Sequence, residues 1–170
     1  LRLLGEKIAE DAALNLVVKI ASTPDFTGFG DTVKQLRTMA LQGLSRRGWE
    51  KAFPVYEGIT RNPKDPLALL ALQLIGGLDK KQAQDYFKGL LSGLESQTSG
   101  FKHQVIKSLS QLQPEGIEEN LKAFYFKEPD SSLRAAAARL LKAYGYDTAG
   151  LEKEYQQAIR AEKNPAAVKE

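Results

Sequence analysis

Apolar residues recur every three or four positions along most of the chain, which is the spacing of one buried helical face. The clearest case runs from Leu133 to Gly145, where Leu133, Ala137, Leu141 and Tyr144 fall on one side of a helix. No segment alternates apolar and polar residues for long enough to predict a strand. The pattern therefore predicts an all-α protein.

Both ends of this helix are predicted by the residues beside it. Asp130 or Ser131 can accept hydrogen bonds from the free amides of the first turn. Gly145 can adopt the left-handed conformation that ends a helix. The four alanines at 135–138 have small side chains that would let a second helix approach closely. We therefore expect helices packed in layers.

The same pattern returns about every 32 residues. The anchors Leu133, Ala137 and Leu141 align with three earlier sets, at successive separations of 31, 34 and 32 residues: Leu36, Ala40 and Leu44, then Leu67, Ala71 and Ile75, then Phe101, Val105 and Leu109. Each hairpin would expose an apolar face that it can bury only against a neighbour.

The period predicts a single repeat domain over residues 1–165. Its four hairpins would span 32–62, 65–97, 99–127 and 130–161. Residues 1–22 would form a capping helix before them, and residues 162–170 a flexible tail after them.

The fourth hairpin resembles a known repeat. From Glu128 to Gly145 the sequence has an acidic residue and a proline in a turn, a Leu-Arg pair, alanines, leucines and a closing glycine. This order resembles the HEAT-like, armadillo-type α-helical repeat, and Leu36-Arg37 repeats part of it. The resemblance implies a right-handed α-α superhelix, an α-solenoid of about four helix hairpins.

A second resemblance competes with the first. Trp49, Ala52 and Tyr56 stand at the spacing found in the second half of a tetratricopeptide repeat, which that part of the chain resembles. This family is also a right-handed stack of helix hairpins. The expected architecture is therefore the same in either case.

Composition narrows the function classes. The chain lacks cysteine, which excludes disulfides and thiolate chemistry, and it has no apolar run long enough to span a membrane. The net charge of +3 is spread evenly, so we expect no nucleic-acid partner. The compartment stays open, with the cytoplasm preferred and export or a periplasmic location as alternatives.

Candidate chemistry is sparse. His103 is the only histidine, and neither a ligand cluster for a metal nor a Gly-x-Ser-x-Gly motif accompanies it. We expect no catalytic residue, cofactor or metal, and we expect His103 at the surface or between helices.

Aromatic and basic residues of the second helices are the better candidates, because aromatic side chains are enriched at binding hot spots. The predicted partner-binding surface consists of Trp49, Tyr56, Lys81, Lys88, Lys122, Tyr125 and Lys153. In the alternative interpretation, most aromatic residues of these helices fill the core between layers, above all Phe87, Phe124 and Tyr155.

These observations favour a non-enzymatic scaffold that binds a protein or peptide on its concave surface. A first alternative is an enzyme or enzyme-accessory protein, since some HEAT-like proteins are bilin lyases or alkylpurine DNA glycosylases. A second is a structural segment of a larger multidomain protein. The oligomeric state stays open.

Overall fold

The computed structural model describes residues 13–23 and 30–163. Within them the chain forms nine α-helices and no strand, which confirms the all-α prediction. Part of the predicted capping helix, over 1–12, and most of the predicted tail, over 164–170, lie outside the described residues.

The helices follow the predicted order closely. They are α1 (13–22), α2 (Gly30–Leu44), α3 (Trp49–Thr60), α4 (Ala68–Gly76), α5 (Lys80–Leu91), α6 (Ser99–Leu112), α7 (Glu118–Lys127), α8 (Ser131–Ala143) and α9 (Thr148–Lys163). Short 3-10 turns follow α2 at Ser45–Arg47 and α5 at Leu94–Ser96. Each predicted hairpin covers most or all of two successive helices, although α2 begins and α9 ends two residues outside the predicted bounds at 32 and 161.

The chain divides into two compact units, Leu1–Tyr86 and Phe87–Glu170. The division falls inside α5, within the second predicted hairpin. In the first unit α3 packs against α2 and α4. In the second unit α8 packs against α6, α7 and α9.

A buried ion pair joins the helices of the first unit. Arg37 of α2 places both terminal nitrogens on the Asp65 carboxylate, with Nη2 2.7 Å from Oδ2, and its Nε donates to the Ala21 carbonyl of α1. Asp65 Oδ1 also accepts the amide of Leu67 at 2.9 Å, at the start of α4. Since only 2% of the Arg37 and 8% of the Asp65 side chain is exposed, water screens this pair little.

The second unit contains an equivalent pair. Lys102 of α6 donates from Nζ to Glu128 Oε2 at 2.7 Å, and both side chains are buried. Glu128 Oε1 accepts the amide of Asp130 at 3.0 Å, just before α8. In both units the cation follows the first anchor of a hairpin, and the acid lies in the turn before the next hairpin.

The other two predicted hairpins lack such an ion pair within the part of the chain that the structure describes. Ala68 stands where the cation would be, and the turn at 97–98 contains no acidic residue. In the fourth hairpin, Arg134 donates to the carbonyls of Glu128 and Pro129 and lies 4.4 Å from the ring centroid of Tyr155. A cation paired with an acid therefore occurs in the first and third predicted hairpins, whereas Arg134 in the fourth uses backbone carbonyls as its acceptors.

Several local predictions can be compared with the structure. Asp130 caps α8, and Gly145 ends it with φ +87°, as predicted. At the start of α9 the cap is Asp147 and not Thr148, because the Asp147 carboxylate accepts the amides of Ala149 and Gly150. A carboxylate one residue earlier reaches the same free amides.

The anchor set of the first hairpin was wrong at Leu36, whose surface is 50% exposed. Arg37 occupies the inward position beside it in order to reach Asp65, and successive residues on a helix are about 100° apart. The other two anchors of α2, Ala40 and Leu44, are buried.

Candidate binding groove

The predicted partner-binding residues of the first unit do not form one exposed surface. Tyr56 is fully buried, and its hydroxyl donates to the Leu41 carbonyl at 2.6 Å, so its assignment to a partner surface was wrong. Burial raises the pKa of Tyr56 to about 12. Trp49 is half-buried and stacks on Phe53 with ring centroids 4.2 Å apart. Lys81 is exposed.

In the second unit most of the predicted residues already have partners. Tyr125 is buried, and its hydroxyl donates to Glu152 Oε2 at 2.7 Å, so its assignment to a partner surface was also wrong. Burial, with the nearby Glu152 carboxylate, raises the pKa of Tyr125 to about 12. Lys122 pairs with Glu154 at 3.3 Å.

The remaining two predicted lysines of this unit differ from each other. Lys88 donates to the Glu115 carbonyl at 2.7 Å, whereas Lys153 is exposed. The alternative interpretation holds for Phe87, Phe124 and Tyr155, which are all buried.

A different feature of the second unit stands out, a groove between α6 and α8 with a volume of about 600 Å³. We call it the α6–α8 groove. It is lined by Gly100, His103, Gln104, Ile106, Lys107, Ser110, Gln111, Ala136, Arg139 and Leu140. This volume is in the range of ligand-binding clefts in proteins, about 300–1,000 Å³.

The groove is lined by residues that recur at helical spacing on α6 and α8. His103, Lys107 and Gln111 are four residues apart, so they form one stripe along α6. Across the groove, Ala136 and Arg139 lie on α8, whose neighbouring Ala137 is buried. The small alanine side chains allow α8 to pack closely beside α6.

Hydrogen bonds around His103 fix the end of the groove. His103 Nδ1 lies 3.0 Å from the Ser99 carbonyl, which can only accept, so this nitrogen carries the proton. In the neutral imidazole, His103 Nε2, 3.2 Å from Ser132 Oγ, is then the acceptor for that hydroxyl. The imidazole therefore ties α6 to the first turn of α8.

Ser132 and His103 resemble a nucleophile and its base, but a serine nucleophile also needs free amides to stabilise an oxyanion. The Ser132 and Leu133 amides, which could stabilise an oxyanion, both donate to Asp130 Oδ1, at 2.8 and 3.3 Å. The same two amides, Leu133 first, hold the pKa of Asp130 below its usual range. Asp130 also accepts from the Ser99 hydroxyl at 3.3 Å. These polar groups act as a helix cap and an interhelical link.

Two cationic side chains of the groove neither cap a helix nor link helices within the described part of the chain. Lys107 and Arg139 are exposed, and neither forms an ion pair or hydrogen bond with the residues that the structure describes. Among the described residues, no carboxylate lines the groove. Its apolar part consists of Ile106, Ala136 and Leu140.

Other candidate chemistry is limited in the part of the chain that the structure describes. No group of three or more His, Cys, Asp or Glu side chains there could hold a metal ion. None of the helices over 13–23 and 30–163 is both long and apolar enough to cross a membrane.

Sequence reasoning missed the α6–α8 groove. The stripe of His103, Lys107 and Gln111 at four-residue spacing was a visible signal, but it indicates only a polar helix face.

Comparison with known protein families finds no match, and searches of curated proteins and of solved structures find none either.

Proposed function

We propose that this chain is a non-enzymatic helical-repeat scaffold that binds another protein or a peptide. The proposal includes the stacked, right-handed hairpin arrangement that the HEAT-like resemblance implies. The equivalent buried pairs Arg37–Asp65 and Lys102–Glu128 support a repeat, because unrelated helices would not place cation and acid at the same positions.

The observation that carries the proposal is the α6–α8 groove. It combines two cations, Lys107 and Arg139, with an apolar lining, and no ion pair or hydrogen bond within the described part of the chain uses either charge. Arginine is enriched at protein interfaces, where apolar contacts and charge-assisted hydrogen bonds occur together. The groove therefore replaces the aromatic face of the second helices as the proposed partner site.

Affinity capture with quantitative mass spectrometry tests this function. The tagged chain is compared with Lys107→Ala/Arg139→Ala and with a control, Lys122→Ala/Lys153→Ala. The control alters the region around Lys122 of α7 and Lys153 and Glu154 of α9, which we call the α7–α9 surface. We expect a defined protein partner to be retained by the wild type and the control and lost from the groove variant. Retention by all three chains would contradict the groove as the site. Capture of no partner by any of them would contradict the function.

A DNA-binding, glycosylase-like function is the second candidate, because Lys107 and Arg139 could also contact phosphates. It predicts a gel shift of plain duplex DNA that weakens with salt and is lost in the groove variant. We expect no shift at low salt, since two cations neutralise few phosphates.

A further inference from the structure

We infer that the α6–α8 groove binds an acidic peptide segment of a partner protein, whose carboxylates pair with Lys107 and Arg139. The inference rests on the proposed scaffold function and names the chemistry of its partner. It is carried by the charges, the neutral polar groups and the apolar lining of the groove.

The charge of the groove is unbalanced. Lys107 and Arg139 stand on the two opposing helices, and no acidic side chain of the residues that the structure describes lines the space between those helices. Asp130, at one end, is already bonded to two amides and a serine hydroxyl. A ligand with carboxylates would supply the missing acceptors, and a guanidinium can hold a carboxylate by two parallel hydrogen bonds.

The neutral polar residues favour a peptide over a phosphate chain. Ser110 and Gln111 line the groove and have no hydrogen-bond partner among the described residues. A glutamine side chain both donates and accepts, which matches a peptide backbone with its N–H and C=O groups. A polyphosphate offers acceptors only, so it would leave the acceptor side of Gln111 unused.

The apolar lining sets a further requirement. Ile106 and Leu140 are nearly buried in the walls, and Ala136 lies between the helices. Because Ile106 and Leu140 are each only 3% exposed, the half-buried Ala136 is the main apolar contact that the groove offers to an aliphatic side chain of the peptide. The expected segment therefore has aspartate or glutamate residues beside an aliphatic one.

Selection from a random peptide display library tests the inference with the whole chain. The wild type, Lys107→Glu/Arg139→Glu and the control Lys142→Glu/Lys153→Glu are each panned. The control alters two exposed lysines outside the groove and changes the net charge equally. We expect acidic and aliphatic peptides from the wild type and the control, with affinity for the groove variant weaker by about tenfold or more.

The outcomes separate the two proposals. Selected peptides that are not acidic, or that bind the groove variant equally well, would overturn the acidic-segment inference and leave peptide binding in place. A salt-dependent DNA shift that the groove variant loses would also overturn it. Failure to select any peptide, together with failure to capture any protein, would overturn the scaffold function itself. Circular dichroism of each variant confirms that it is folded.

Discussion

The α7–α9 surface and the α6–α8 groove belong to the same unit and both contain basic residues, but they use them differently. On the α7–α9 surface, Lys122 pairs with Glu154, and Tyr125 donates to Glu152. In the groove, Lys107 and Arg139 have no acidic neighbour among the lining residues that the structure describes. One set of polar groups holds helices together, and the other leaves its charge available to a ligand.

This difference shows why residue type alone is a weak guide to a binding site. Lys102 and Lys107 are five residues apart on α6, yet Lys102 is buried against Glu128 and Lys107 is exposed. Their roles depend on which side of the helix faces α8. The groove is therefore defined by packing, and the following predictions test that contrast from the largest effect to the smallest.

The largest effect is expected at the buried Lys102–Glu128 pair. Glu128→Ala leaves Lys102 buried without its partner, which typically costs about 3–5 kcal/mol. We expect the free energy of unfolding, measured with urea, to fall by that amount and peptide binding to fail with it. The double variant Lys102→Met/Glu128→Leu serves as the control, because removing both charges should restore most of the stability. Equal losses in both variants would contradict a paired role for the two residues.

A second effect concerns alkaline stability. A tyrosine in the unfolded chain has an ordinary pKa of about 10, whereas burial and the Glu152 carboxylate raise the pKa of Tyr125 in the folded chain to about 12. The stability that this hydroxyl contributes is therefore complete below about pH 10 and falls as pH rises to about 12, because the unfolded chain loses its proton first.

The Tyr125→Phe variant should lose stability less steeply over this range, by up to about 1.4 kcal/mol for each pH unit. Thermal melts at several pH values measure the slope. Tyr56→Phe is the matched variant in the first unit, since burial raises the pKa of Tyr56 to about 12 as well. A wild-type slope in Tyr125→Phe would argue against the burial of that hydroxyl.

A smaller effect is expected on the α7–α9 surface. Lys122 and Glu154 lie 3.3 Å apart, but 32% and 56% of their side chains are exposed, so water and salt screen the pair. We expect Lys122→Ala to cost less than about 1 kcal/mol, and less still at high salt. Lys153→Ala is the control, because Lys153 forms no ion pair with the residues that the structure describes. A cost as large as that of Glu128→Ala would mean that this surface pair is structurally essential.

The smallest effect on stability is expected in the groove. Because Lys107 and Arg139 have no partner among the described residues, Lys107→Ala/Arg139→Ala should change the free energy of unfolding by less than about 0.5 kcal/mol. Urea unfolding checks this. A clear destabilisation would show that the two cations serve the fold and would remove the basis for assigning them to a ligand.

Much of the fold was predictable because helices are specified locally. The capping carboxylate of Asp130 and the left-handed Gly145 fix the ends of α8 through groups only a few residues away. The error at Leu36 had a non-local cause, since Arg37 turns inward to reach Asp65, 28 residues later. The helical spacing of apolar residues does not reveal a buried ion pair.

The candidate site was less predictable than the fold. Tyr56 and Tyr125 belong to a residue type that is common at binding sites. Each is buried, however, and its hydroxyl donates to an acceptor inside the protein. Lys107 and Arg139 line the same groove only because α6 packs beside α8, although α7 separates these two helices in the sequence. A single sequence does not show which helices of a repeat are neighbours at such a distance.

Site-specific photo-cross-linking tests the central claim most directly. A photoreactive benzoylphenylalanine replaces either Gln111, which lines the groove, or Gln157, which is exposed on α9. With the captured partner present, we predict cross-links from position 111 to an acidic segment of that partner and none from position 157. Cross-links from position 157 alone, or from neither position while capture persists, would contradict a partner site in the α6–α8 groove.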